Sequence, residues 1–454
     1  MGHTVPVTKA IWRFAAPAVL MVAWGGNHFS PLLLLYRRVD GYSTVEVNLF
    51  FAFYILGLIP GFLAAGPLAD RHGRRRTVAA ALSLGVLGSV ILMAGHASVL
   101  WMCAGRLVCG VSVAAAMVVG TTWIKELSEH DADPPTRARR ASLTLTAGFG
   151  LGAGVSGALA QWGPAPTILP YAVQIALSAV AAVPLARAVS TGPLSVGPPL
   201  TGPLPAGSLP AGSLPAGSLS AGSLPAGSLP AGSLPTGSLP VGPLPMGKQS
   251  WLDLRLPPGG WRRFAGVVLP MAPWVFGTPA LAFVIGPSLV ADRTGDLRIA
   301  FATLLAVLTL LTGAGVQPFV PRLARLLKGR QGVAGLGVFA LATAMLAVET
   351  GPLAVVVAAL LFGIAYGITI VSGLVEVQAL ASPRNLAALT GVYWSITYVG
   401  FAFPVVLAAI AGTGVSYPVL LAVLAALSLA CAAVVLATLR RPPNLQDGHS
   451  TRPN

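Results

Sequence analysis

Arg106 stands where no charge belongs. The run 99–124 contains no other charged residue. An arginine at mid-membrane depth costs several kcal/mol unless it is paired or hydrated, so it marks a functional position before a packing one. His28 lies in the apolar run 11–35 beside Asn27. No carboxylate occupies the middle of any such run. His28 is therefore the one group titrating near neutral pH that could take up a proton there and exchange it against a cargo. The competing reading of His28 is a satisfied core histidine. Gln174, Tyr393, Trp394 and Tyr398 could line a cavity with these residues or serve as packing.

Other polar patterns point to structure. Glu46 follows Ser43 by three residues, a capping box. Glu126 and Glu376 end equivalent apolar runs close to arginines, which suggests either gating ion pairs or solvated helix ends. Gly242 to Lys248 has the spacing of a phosphate-binding loop. Gln249 replaces its hydroxyl residue, Pro243 and Pro245 remove amides, and no strand precedes it. No other nucleotide signature occurs, and no cofactor is expected. Cys103, Cys109 and Cys431 all fall in apolar runs, so neither a disulfide framework nor a metal site is predicted.

The elements that must position these groups are membrane spans. Hydrophobic residues make up 55% of the 454 positions and charged residues 9%, against about 25% charged in soluble domains. Mean hydropathy is +0.79. These values exclude an ordinary cytosolic enzyme. The net charge of +15 lacks the aromatic-interleaved basic patch of a nucleic-acid binder.

Twelve runs reach the ~20 residues that a helix needs to cross ~30 Å of hydrocarbon. They lie at 11–35, 45–65, 78–95, 99–124, 141–160, 168–186, 264–289, 299–320, 333–348, 353–375, 386–411 and 417–439. The first follows Lys9 and Arg13, like a signal peptide, but is too long for one. With both termini cytoplasmic, 23 Lys and Arg fall inside and four outside, as the positive-inside rule requires. In that orientation Arg106 lies ~10–12 Å below the outer end of its run, and His28 ~24–26 Å above the start of its own. Both are then at or above mid-depth, within coupling distance if their helices adjoin. Pro270, Pro273, Gly277 and Pro279 predict a broken seventh span.

The chain divides into an N-terminal six-helix bundle at 1–190, a linker at 191–247, and a C-terminal six-helix bundle with a short polar tail at 248–454. From Thr191 to Pro245 the linker is eleven five-residue units such as Ala206-Gly207-Ser208-Leu209-Pro210. A period of five fits neither helix nor strand, and the prolines prevent regular backbone bonding. The expectation is a disordered cytoplasmic tether.

The segment Gly66-Pro67-Leu68-Ala69-Asp70-Arg71-His72-Gly73-Arg74-Arg75-Arg76 resembles the cytoplasmic signature loop of the major facilitator superfamily of secondary transporters. The second-half counterpart around Pro318 to Arg325 keeps the basic residues and lacks the acid. The resemblance implies an all-α membrane protein of twelve transmembrane helices in two six-helix bundles, with both termini cytoplasmic. It implies that Gly66 and Gly73 permit a tight turn and that Arg71, Arg74 and Arg75 hold the anionic inner face. Asp70 would face the start of span eleven and latch the outward-facing state. Arg106 with Gly110 is similar to the family's Arg-x-x-x-Gly pattern on a cavity-lining helix. Gly148 to Gly157 looks like the glycine-rich motif of the drug-exporting, proton-antiporting branch, with Val155 where that motif has proline. Gly150, Gly154 and Gly157 would then be helix-packing glycines.

The implied activity is alternating-access transport, most specifically proton-coupled efflux of small amphiphilic compounds. A metabolite symporter or uniporter is the alternative within the class, and a non-transporting receptor on the same fold the alternative outside it. The implied partners are a small-molecule substrate, protons and the lipid bilayer. The expected state is a monomer in the cell membrane, with no catalytic activity and no nucleic acid.

Overall fold

The computed structural model describes residues 11–129, 131–188, 256, 259–381 and 386–440. The repeat linker at 191–247 lies outside the described residues, as do both chain ends and 382–385. All regular structure among the described residues is helical. Lipid forces this outcome, because a spanning segment must satisfy its own backbone.

Among the described residues, twelve helices are long and apolar enough to cross a membrane. In chain order these are α1 (Ala16–Val39), α2 (Val45–His72), α3 (Arg74–Ala94), α4 (Val99–Leu127), α5 (Arg139–Trp162), α6 (Leu169–Arg187), α7 (Gly260–Leu289), α8 (Ala291–Leu326), α9 (Gln331–Val348), α10 (Pro352–Leu380), α11 (Leu389–Ala411) and α12 (Tyr417–Arg440). The chain is a multi-pass membrane protein.

Two sequence expectations need correction here. The signature segment is not a loop from Gly66 onward. Helix α2 continues through Pro67 to His72, and only Gly73, at φ +87°, breaks the chain before α3. A side chain at Gly66 would meet nothing within 4 Å, so Gly66 makes no tight turn. Gly73 alone does, since φ near +90° is open to glycine and strained for other residues. Nor is α7 broken. It stays helical from end to end but widens into π-turns at Phe264–Val268 and Leu281–Ile285. Helix α1 has a weak point at His28, between the α-helical segments Ala16–Asn27 and Phe29–Val39, although His28 keeps helical backbone angles and donates to the Trp24 carbonyl at 2.9 Å. Pro31 has no N–H to offer the carbonyl of Asn27, which explains the weak point.

Packing relies on close backbone approaches. In α2 and α4, a Cβ on Gly110 would lie 2.2 Å from the Tyr54 carbonyl, and one on Gly57 2.1 Å from the Leu107 carbonyl. Helix α5 packs on α1 through Gly148 and Gly152, which abut the backbones of Leu20 and Trp24. Gly150 faces open space, and its expected packing role is corrected accordingly. Helical phase is the reason: Gly148 and Gly152, four apart, share a face that Gly150 does not.

The two halves meet along two seams. On one, Gly157 of α5 lies so near Thr303 of α8 that a Cβ would fall 1.8 Å from its Oγ1, and Gly154 faces Val307. The Gln161 side chain donates to the Asp296 carbonyl at 2.8 Å and accepts from the Ala300 amide at 3.1 Å. On the other seam, α2 meets α11 through aromatic pairs, Phe51 with Phe401 and Phe62 with Tyr398 and Trp394.

Candidate functional site

A narrow cavity lies between these seams. Helices of the first half supply Asn27 and Ser30 (α1), Phe51 and Tyr54 (α2), Arg106 (α4) and Phe149 (α5). The second half supplies Phe276 and Phe283 (α7), Leu310 (α8), Tyr366 (α10), and Tyr398 and Phe401 (α11).

Arg106 is 1% exposed. Its guanidinium carbon lies 4.1 Å from the Tyr54 ring centroid, 4.4 Å from that of Phe29 and 5.7 Å from that of Phe51. The glycine one turn later creates this cage. Gly110 admits the α2 backbone at Tyr54, and the Tyr54 ring then reaches the guanidinium. Each desolvated cation–π contact contributes about 2 kcal/mol, while burying an ion costs several. The rings therefore offset much of the charge penalty. They accept no N–H in line, and Nε and Nη1 of Arg106 are enclosed without a hydrogen-bond partner.

Asn27 beside it is committed in part. Its Nδ2 donates to the Phe149 carbonyl at 3.1 Å, and its Oδ1 accepts from Ser30 Oγ at 2.6 Å. Tyr398 donates to the Met117 sulfur at 3.1 Å and stacks on Phe276 with centroids 4.1 Å apart.

The remaining sequence candidates lie elsewhere. His28 sits behind the cavity wall, fully buried, with its ring edge-on to Tyr171 at 4.8 Å and both ring nitrogens unpartnered. Tyr171 shares a 2.6 Å hydroxyl contact with Tyr36. Gln174 packs against Gly25, donates to Ser178 at 3.1 Å, and leaves its Oε1 unpartnered. Tyr393 belongs to a separate cluster with Phe264, Val268 and Val377 and donates to the Ile370 carbonyl. Trp394 borders the site indirectly, with its ring 6.2 Å from that of Phe276.

At the α2–α3 junction Asp70 is 72% exposed on its side chain and lies 3.7 Å from Arg74. Arg74 also donates to both Glu126 oxygens at 3.0–3.2 Å. Arg75 donates to the Ala186 carbonyl. Arg71 lies on the last turn of α2. The second half repeats the Arg74–Glu126 arrangement with Arg263 and Glu376, 2.8 Å apart. Each pair stays within its own half.

The aromatic lining at Phe51, Tyr54, Phe276 and Phe401 was not singled out from sequence. The only signal was Gly110 next to Arg106, which requires a close neighbour without naming it.

The sequence matches the Major Facilitator Superfamily model over residues 15–405. The chain belongs to that superfamily. Family and fold are those of transporters. Two curated relatives of this superfamily member are the glucose transporter GlcP of Staphylococcus epidermidis and a gallate transporter of Pseudomonas putida. GlcP is 30% identical over 97 residues, 21% of either chain. The gallate transporter is 34% identical over 110 residues, 24% of this chain and 23% of its own. The chain thus spans between a fifth and a quarter of the relatives' lengths. Crystal structures of the nucleoside transporter NupG share the fold. One superposes with a TM-score of 0.65 at 13% identity, covering 95% of this chain and 100% of NupG. A second gives 0.63 at 11% identity.

Proposed function

We propose that this protein moves small molecules across the cell membrane by alternating access around the central cavity, with both termini cytoplasmic. The observation that carries this is the cavity's position: its walls come from both halves, so rocking one half against the other opens it to one side at a time. In its finer form the activity is proton-coupled export of amphiphilic compounds. His28 carries the proton, because imidazole is the side chain that exchanges protons near neutral pH, His28 follows the lining residue Asn27, and neither of its ring nitrogens is engaged. The protein works as a monomer, and the repeat linker is a passive tether. Symport or uniport of a metabolite is the second reading, favoured by the partial likeness to glucose and gallate transporters.

The test is flux of labelled aromatic and sugar compounds in proteoliposomes holding the full chain, with and without a pH gradient and a protonophore. Export coupling predicts counterflow that collapses with protonophore and loses its pH dependence in His28→Ala. Flux indifferent to the gradient overturns proton coupling and leaves uniport. No flux of any compound overturns transport.

A further inference from the structure

We propose that the central cavity selects a small organic anion, its carboxylate pairing with Arg106 and its flat apolar body lying among Phe51, Tyr54, Phe276 and Phe401. The proposal rests on the transporter reading above and names its class of cargo.

Three observations converge on it. First, Arg106 makes no ion pair or hydrogen bond among the described residues, and two of its nitrogens are sealed from every acceptor. Aromatic faces answer its charge but not its N–H groups. A planar two-oxygen anion is the partner that a guanidinium's N–H groups pair with best.

Second, the lining holds no carboxylate. Its other polar groups are the neutral Asn27, Ser30, Tyr54, Tyr366 and Tyr398. The Asn27 amide keeps one N–H to offer beside its bonds to Phe149 and Ser30. A cationic cargo would add a second positive charge to this desolvated space, and a neutral one would leave the guanidinium unanswered.

Third, a second cavity adjoins the first, and Phe283 borders both. Arg37 lines that neighbouring cavity and is exposed. Cationic residues thus lie both in the adjoining space and at the centre, and a cleft of one sign concentrates ions of the other.

The experiment measures binding of benzoate, benzamide and benzylammonium to the full chain in nanodiscs. Trp394, next to Phe276, serves as the fluorescence reporter. Benzoate should bind at least about tenfold tighter than either analogue. Arg106→Gln should erase that preference, and Arg106→Lys should keep part of it. Phe51→Glu places a carboxylate beside the guanidinium and should abolish benzoate binding, so it decides the matter even where Arg106→Gln fails to fold. Equal binding of the three probes, benzoate binding that survives Phe51→Glu, or no benzoate binding at millimolar concentration would each overturn the proposal. Flux of the same probes in proteoliposomes separates the two readings. Benzamide or benzylammonium carried as well as benzoate defeats the anion site and leaves transport standing. Tight, Arg106-dependent benzoate binding without flux of any probe upholds the site and defeats transport.

Discussion

Phe51 of α2 stacks on Phe401 of α11, with centroids 5.9 Å apart and ring planes 17° apart. The two residues belong to opposite halves and both line the cavity. An aromatic pair contributes about 0.5–1.5 kcal/mol beyond its area. Phe401→Ala should therefore loosen the seam. A cysteine at Leu310, on a background lacking the three native cysteines, should react several-fold faster with a water-soluble thiol reagent in that variant. An unchanged rate would mean that the stack does not close the cavity.

Gly110→Ala tests how the cage is built. The added methyl would meet the Tyr54 carbonyl at 2.2 Å, and backbone cannot rotate away as a side chain can. Helix α2 must shift, carrying Tyr54 from Arg106. Transport should fall about tenfold or more while membrane insertion persists. Near-normal transport would detach the glycine from the site.

The α5–α8 seam gives a paired comparison. Gly157→Ala collides with the β-branched Thr303, a side chain with little freedom to turn. It should lower the melting temperature, and Thr303→Ala should recover part of the loss. Gly150→Ala, facing open space, should be neutral. Equal effects at Gly150 and Gly157 would contradict this packing.

Asp70→Asn tests the latch that the family resemblance implies. Loss of the charge should raise accessibility from the cytoplasmic side and slow transport while insertion is preserved. Should Arg74→Lys, which keeps charge but cannot fork onto Glu126, give the same phenotype, the Arg74 network rather than Asp70 alone is the latch. Full transport in Asp70→Asn removes the latch.

Tyr42 supplies a pH test outside the spans. Its hydroxyl donates to the His96 carbonyl at 2.6 Å. Burial first, then the charges of Asp40, Glu46 and Cys103, push its pKa up to about 12. A phenol raised above its unfolded value near 10 contributes stability that is fully present below pH ~10 and is lost as pH rises through its folded value. Tyr42→Phe should cost about 1 kcal/mol at neutral pH. The gap between native and variant melting temperatures should close on going above pH ~10. A gap that widens with alkali would reverse the assignment.

The twelve spans were legible because hydropathy and length decide them, whatever their neighbours. Arg106 was legible because a lone charge in an apolar run needs a reason. The cage was not: Phe51, Tyr54, Phe276 and Phe401 look like ordinary lipid-facing or core aromatics until the partner helix is in place. Gly150 reads from sequence as a packing glycine alongside Gly154 and Gly157, and only a neighbouring helix chooses which face of α5 is pressed. His28 reads from sequence as a cavity residue, yet it lies outside the lining, because whether a residue faces a cavity or the helix behind it depends on neighbours the sequence does not name. Prolines in α7 weigh more in the sequence than in the helix: the span runs through Pro273 and Pro279 without interruption, and the Val275 carbonyl that Pro279 leaves without an N–H accepts from the Thr278 hydroxyl at 2.7 Å.

The tight backbone contact of α2 with α4 has a bearing on how cargo leaves. Gly57 and Gly110 clamp the two helices together, so Arg106 and Tyr54 travel as one rigid jaw with the first half. Phe276, Tyr398 and Phe401 form the opposing jaw on the second. Any hinge motion parts the jaws and leaves the cation in only one of them. A molecule held as proposed would then lose its contacts to Phe276 and Phe401 while its tie to Arg106 persists, and unloading would proceed in two stages, peeling before ionic release. Mobile ions in the surrounding water would speed the second stage and leave the first untouched.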